Sequence, residues 1–202
     1  MAVIKKITKL TDNRFVNLYH LQGENKRGNT SNYYVASRSK RLEDLKCKTH
    51  ENPADGVIIY SLYGEKRDRV VLVRQYRYAI DGYIYEFPAG LVDEGEDFRQ
   101  AAVREMHEET GLDLEPIPVG DGYEKPYFTT IGMTDESCAT VYGYASGEIT
   151  RNYQEENEEI EVVLADRPEV RRILKEERVS IMCSYQLMHF LKNEEPFYFL
   201  EP

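Results

Sequence analysis

Alternating apolar and polar residues predict β-strands over much of the chain. Runs rich in Val, Ile, Leu and Tyr, bounded by Gly, Asn and Asp, are typical of strands with one or both faces buried. The strands predicted in this way lie at 14–21, 32–38, 56–63, 69–75, 83–87, 138–144 and 159–164. Because the first two make too small a sheet to be stable alone, we expect them to pack on something else.

A helical pattern interrupts the strands at 97–110. Asp97 and Gln100 have the spacing of a capping box, and Gly111 stands where a helix end favours glycine. The other segments predicted are helices near 167–176 and 180–192 and a long polar loop near 113–127. This mixture of strands and helices predicts an α/β sandwich.

Composition excludes several classes of protein. The 202 residues suffice for one domain with a small appendage, and 41% hydrophobic residues allow a buried core. The formal net charge of −10 argues against general nucleic-acid binding, which needs clustered Lys and Arg. We therefore expect a folded protein that does not bind nucleic acid, although a small anionic substrate stays possible if metal ions offset the charge.

The cysteines and the lengths of the apolar runs indicate where in the cell the protein is expected. The three cysteines are odd in number and contain no CxxC pair, which is typical of reduced thiols. Lysines interrupt the first apolar run, so no signal-peptide core is present, and no run is long enough to span a membrane. The expectation is a cytoplasmic protein with no membrane segment.

Acidic residues cluster on the predicted central helix. Glu105, Glu108 and Glu109 are three or four residues apart and share one face, where like charges repel. Glu96 enters from the preceding loop, and Arg104 has the geometry to brace carboxylates by bidentate pairing. Such hard oxygen ligands suit divalent cations, whereas the alternative is a solvated acidic helix face. Spacing alone leaves both interpretations open.

The full pattern from Gly90 to Leu112 resembles the signature of the Nudix hydrolase superfamily. That signature reads Gly-x5-Glu-x7-Arg-Glu-aliphatic-x-Glu-Glu-x-Gly-aliphatic, and every fixed position matches. Seven identities at about 7% usage each give a chance match on the order of 10⁻⁸ per window. The resemblance implies a hydrolase that uses Mg²⁺, with Mn²⁺ as a possible substitute, on an α/β/α sandwich with a mixed sheet. We refer to 90–112 as the box and to its helix as the box helix.

Residues around the box resemble the ADP-ribose pyrophosphatase branch of that superfamily, which cleaves nucleoside diphosphate sugars. The resemblance is found in Arg74-Gln-Tyr-Arg77 and in Tyr85-Glu-Phe-Pro-Ala-Gly90. In that branch an N-terminal β segment exchanges between the subunits of a homodimer. The resemblance therefore implies a dimerising antiparallel β segment at 1–50 and a hydrolase domain at 51–202.

Positions matched to the family give the candidate site. The metal ligands implied are Glu105 and Glu109, supported by Glu108, Glu96 and the carbonyl of Ala89. The residues implied in catalysis are Glu109, Glu108, Arg104, and Glu156 or Glu158 of a late acidic loop as the base. The residues implied in substrate binding are Phe15, Tyr33, Arg38, Arg77, Glu86 and Leu91.

One departure leaves the substrate open. The branch usually has a Pro-Gly pair where this chain has Ile131-Gly132. ADP-ribose, cleaved to AMP and ribose 5-phosphate, is the first expectation, and GDP-mannose, a dinucleoside polyphosphate or a nucleoside triphosphate are alternatives. A non-catalytic nucleotide-sensing module is a further alternative, although such modules commonly lose box glutamates and this chain keeps them all.

Overall fold

The computed structural model describes residues 1–120, 122–154 and 159–200. The strands are β1 (Val3–Lys9), β2 (Asn17–Glu24), β3 (Thr30–Ser37), β4 (Gly56–Tyr63), β5 (Arg69–Arg77), β6 (Gly82–Glu86), β7 (Ala89–Leu91), β8 (Asp113–Pro116), β9 (Tyr127–Phe128), β10 (Ser137–Ser146) and β11 (Ile160–Ala165). The helices longer than one 3₁₀ turn are α1 (Lys46–Thr49), α2 (Phe98–Thr110), α3 (Arg167–Glu176) and α4 (Ile181–Lys192). No described helix is long and apolar enough to cross a membrane.

The chain divides into two compact units. Unit 1 comprises Met1–Asp55 with Pro126–Cys138, and unit 2 comprises Gly56–Lys125 with the chain from Ala139 onward. The domain boundary expected between 50 and 51 stays a prediction.

Unit 1 contains the antiparallel sheet β1-β2-β3. Its small core consists of Tyr19, Leu21, Val35 and Leu45. The pattern did not predict β1, because Lys5 and Lys6 interrupt its apolar residues and leave the strand largely exposed. Pairing with β2, rather than burial of its own side chains, stabilises β1.

Unit 2 is built on a sheet in which β11, β5, β4, β10 and β8 lie in that order, with β6 beside β5 and β7 beside β4. Neighbouring residues of β5 face opposite sides, as the two-residue period of a strand requires. Val71 packs with Ala102 and Met106 of α2. Val70 and Leu72 belong to the core formed with α3 and α4. The predicted α/β/α sandwich is confirmed.

Helix bounds follow the sequence pattern closely, and strand bounds follow it less well. Helix α3 spans the predicted residues, whereas the strands expected at 14–21 and 32–38 are displaced by a few residues. The prediction of a polar loop near 113–127 is wrong at its start, because residues 113–116 form β8. Leu114 is buried there and pairs with Ala145 of β10, a tertiary contact that the polar local sequence does not reveal.

Candidate active site

The box helix α2 begins at a complete capping box. The Asp97 side chain accepts a hydrogen bond from the backbone of Arg99, and the Gln100 side chain accepts one from the backbone of Asp97. Ala102 and Met106 are fully buried against the sheet. Capping fixes where the helix starts, and burial of Ala102 and Met106 fixes its rotation. This rotation leaves Glu105 and Glu108 partly exposed and Glu109 nearly buried.

Arg104 gathers the box carboxylates. Its Nε and Nη2 donate to the two oxygens of Glu96 over 3.0 and 2.9 Å, which is the bidentate pairing that the sequence suggested. Its Nη1 donates to Glu105 over 2.8 Å and to Glu108 over 2.9 Å. Nη2 also donates to the carbonyl of Leu91 over 3.0 Å. Hydrogen bonds from Arg104 lower the pKa of Glu96, and Glu96 in turn raises the pKa of Arg104.

Glu105 and Glu109 converge on β7. The Glu105 carboxyl group lies so close to Gly90 that a β-carbon at that position would overlap it. The carboxylate Oε2 of Glu109, a nearly buried residue, accepts a hydrogen bond of 3.1 Å from the Ala89 amide. Two carboxylates from one helix face therefore meet the same short strand.

The charge balance of this cluster suits a divalent cation. Glu96, Glu105, Glu108 and Glu109 contribute four negative charges against the single positive charge of Arg104, which leaves a formal charge of −3. Among the described residues, no three His, Cys, Asp or Glu side chains are arranged so that they could hold a metal ion. In this arrangement Arg104 forms ion pairs with Glu96, Glu105 and Glu108. The chemistry and charge of the donors fit a hard cation, and the predicted ligand set stays a prediction.

Arg77 and Glu86 lie on the same face of the sheet as α2. Side chains alternate along β5, so Arg77, six residues after Val71, faces the same side as Val71, which packs on α2. Glu86 pairs with Val73, which also faces that side. The Arg77 guanidinium donates to Glu86 over 2.7 Å, and its side chain remains about half exposed. An exposed cation with a carboxylate partner is suited to binding a phosphate or a hydroxyl group. Its substrate role, like that of Leu91, stays a prediction.

Phe15, Tyr33 and Arg38 belong to unit 1. Phe15 is 60% exposed. The Tyr33 hydroxyl donates to the carbonyl of Gly132 over 2.7 Å, and Arg38 pairs with Glu136 over 2.7 Å. Both bonds connect to residues 130–136, the segment in which this chain has Ile131-Gly132 where the branch usually has a Pro-Gly pair. The role expected of these three residues in substrate binding stays a prediction, and Glu156 and Glu158 lie outside the described residues.

Replacing Arg104 by Met is expected to lower the unfolding free energy by about 1–3 kcal/mol at pH 7, because Glu96, Glu105 and Glu108 lose their shared donor. Arg104 lowers the pKa of Glu96 in the folded protein. The stabilisation by this pair is therefore fully present above the pKa of Glu96 in the unfolded chain, and it is lost as the pH falls through the pKa of Glu96 in the folded protein. Urea unfolding at pH 7 and at low pH, with exposed Arg171→Met as control, measures it. An equal loss at both pH values would contradict the assignment.

Comparison with known proteins bears on the family of the chain. A family model described as NUDIX domain matches residues 52–182, well over half of the chain. The chain is 36% identical over 126 residues to a putative nudix hydrolase 2 of Caenorhabditis elegans, covering 59% of this chain and 55% of that protein. It is 50% identical over 46 residues to an ADP-ribose pyrophosphatase of Saccharomyces cerevisiae, covering 23% and 20%.

A solved structure described as a crystal structure of an ADP compounds hydrolase aligns with a TM-score of 0.68 at 16% identity. The alignment covers 95% of this chain and 92% of that chain, which shows a common fold. The aligned part of the chain spans only about half of the nematode protein's length. The family match, together with the intact box, shows that this chain belongs to the Nudix family.

Proposed function

We propose that the protein is a metal-dependent pyrophosphatase that cleaves the diphosphate linkage of a nucleoside diphosphate sugar. The observation on which this rests is the convergence of Glu105 and Glu109 on Ala89 and Gly90, within a cluster whose formal charge is −3. Nudix hydrolases generally depend on a divalent metal. On a merely solvated acidic face, Glu105 would not require a glycine at position 90, and Glu109 would not require a hydrogen bond from the Ala89 amide.

In this proposal Glu105 and Glu109 hold Mg²⁺, or Mn²⁺ in its place, with support from Glu96, Glu108 and the Ala89 carbonyl. Held by these residues, the cation would supply Lewis-acid chemistry that polarises the diphosphate and acidifies the attacking water. Arg104 orients Glu96 and Glu108 by hydrogen bonds, and it lowers the pKa of Glu96.

The remaining residues handle the proton and the substrate. A glutamate of the late acidic loop, Glu156 or Glu158, accepts the proton of the attacking water. Arg77 and Glu86, which form an ion pair on the same sheet face as α2, bind the phosphate and ribose in this proposal, and Leu91 of β7 contacts the substrate. Phe15 and Tyr33 offer aromatic surfaces for a base, and Arg38 a cation for a phosphate.

ADP-ribose is the first substrate in this proposal, with AMP and ribose 5-phosphate as products. The high identity to the yeast ADP-ribose pyrophosphatase supports it, although the match covers only 46 residues. Ile131 stands where the ADP-ribose pyrophosphatase branch usually has proline, and this difference is the reason to test GDP-mannose and other diphosphates beside ADP-ribose.

A cleavage panel tests this substrate assignment. It contains ADP-ribose, ADP-glucose, GDP-mannose, a dinucleoside polyphosphate and a deoxynucleoside triphosphate, each with Mg²⁺ and with EDTA. We expect AMP and ribose 5-phosphate from ADP-ribose, with Mg²⁺ only. If only another compound of the panel is cleaved, the proposed hydrolysis stands and the substrate assignment changes to that compound. Absence of metal-dependent cleavage throughout would favour a nucleotide-sensing module.

We also propose a homodimer in which the N-terminal β segment completes the partner's site. Deleting residues 1–50 removes β1, β2, β3 and the whole hydrophobic cluster of unit 1. The truncated chain is expected to sediment as a monomer and to lose ADP-ribose binding, measured by ultracentrifugation and calorimetry beside the full chain. Thermal unfolding checks that the remainder is folded. An active monomer would refute the proposal.

A further inference from the structure

The C-terminal end of the box helix is held by a side chain that the box does not contain. Gln154 Nε2 donates a 2.7 Å hydrogen bond to the main-chain carbonyl of Glu109. It also approaches the carbonyl of Ile160, the first residue of β11, at 3.4 Å. We propose that Gln154 is a positioning residue that fixes Glu109 for the reaction, an inference that rests on the proposed function.

The end of α2 needs such partners. The last carbonyls of a helix lack intrahelical donors and must be satisfied from elsewhere. Thr150 donates its backbone N–H to the carbonyl of Thr110 over 3.0 Å, next to the Gln154 bond. Gly111, with φ of 76°, ends the helix, and a β-carbon there would overlap Thr150. The final glycine of the box therefore allows the segment that leads to Gln154 to approach the helix end.

Glu109 is held at both ends by these contacts. Its carboxylate accepts from the Ala89 amide, and its main-chain carbonyl accepts from Gln154. Because the side chain is nearly buried, a shift of its backbone moves the carboxylate instead of being absorbed by rotation in solvent. A displacement of about 1 Å at a reacting centre costs on the order of 10²-fold in rate.

Gln154 also contacts two elements that are far apart in the sequence, the box helix and β11. The same amide contacts the end of the box helix and the start of β11. In the sequence, Gln154 and Ile160 flank the segment that contains the two candidate bases, Glu156 and Glu158. A purely structural helix cap would affect stability alone, whereas a positioning residue also affects metal binding and turnover.

Gln154→Met tests the proposal, because methionine keeps the length of the side chain and removes the donor. Mn²⁺ binding is measured by electron paramagnetic resonance without substrate, and kcat, KM and Tm are measured beside it. We expect kcat to fall about tenfold or more and Mn²⁺ to bind several-fold more weakly, with KM nearly unchanged. Gln154→Lys, which restores an N–H donor, should recover part of both losses.

Asn152→Leu is the matched control, an exposed amide two residues away on the same segment, and it should behave as wild type. Unchanged Mn²⁺ affinity and kcat in Gln154→Met would overturn the inference, even with a lower Tm. With an active wild type, that result leaves the proposed function intact. A wild-type chain that neither binds Mn²⁺ nor cleaves any of the panel would overturn the proposed function, and this inference with it.

Discussion

Glu109→Gln is expected to lower kcat by about 10³-fold or more while the fold remains intact. Glutamine keeps the volume of this nearly buried side chain and can still accept the hydrogen bond from the Ala89 amide. The substitution removes one of the four negative charges of the cluster and replaces an anionic ligand oxygen by an amide. Stability should therefore change little, whereas metal-dependent turnover should nearly vanish.

The measurement is kcat with saturating Mg²⁺ on the best substrate of the panel, together with Tm. Glu94→Gln is the matched control, because Glu94 is an exposed glutamate of the loop before the box helix. It makes the same chemical change outside the carboxylate cluster and should leave kcat unaltered. Near-wild-type turnover in Glu109→Gln would remove Glu109 from the metal site.

Gly90→Ala is expected to lower kcat/KM by about 10²-fold. The added methyl group would occupy the position of the Glu105 carboxyl group, so Glu105 must move away from β7. The backbone at Gly90 is extended and pairs with Val57 of β4, so alanine introduces no conformational strain of its own. The loss should therefore reflect the position of Glu105 alone.

Gly120→Ala is the control for this substitution, because nothing lies within 4 Å of a β-carbon at that position. A Gly90→Ala protein with normal kcat/KM would mean that Glu105 does not need its place against β7. Steady-state kinetics on both variants, with circular dichroism to verify folding, distinguishes a local displacement from a loss of structure.

Local patterns predicted the elements that local interactions stabilise. Helix α2 follows from its capping box, its terminal glycine and its buried alanine and methionine positions, all legible within 15 residues. The alternation in β5 predicted a strand, and the two cores show that both of its faces are buried. Strand β1 was missed because it depends on pairing with β2 and not on its own side chains.

The candidate site was predictable in its residue types but not in its contacts. The spacing predicted that Glu105, Glu108 and Glu109 share one helix face, and the structure shows Glu96, Glu105 and Glu108 hydrogen-bonded to Arg104. The contact of Glu109 with Ala89 crosses 20 residues, and its contact with Gln154 crosses 45. A glutamine at the start of an acidic run gives no local signal of such a bond, since tertiary packing creates it.

The central claim is that Glu105 and Glu109 hold the divalent cation at which the diphosphate is cleaved. The most direct measurement is anomalous diffraction from crystals of the wild-type protein soaked in Mn²⁺ with a non-hydrolysable ADP-ribose analogue. We expect an anomalous peak within about 2.5 Å of carboxylate oxygens of both residues, beside the Ala89 carbonyl. A Mn²⁺ peak beside the diphosphate but away from both glutamates, in a protein that cleaves ADP-ribose, would contradict the account.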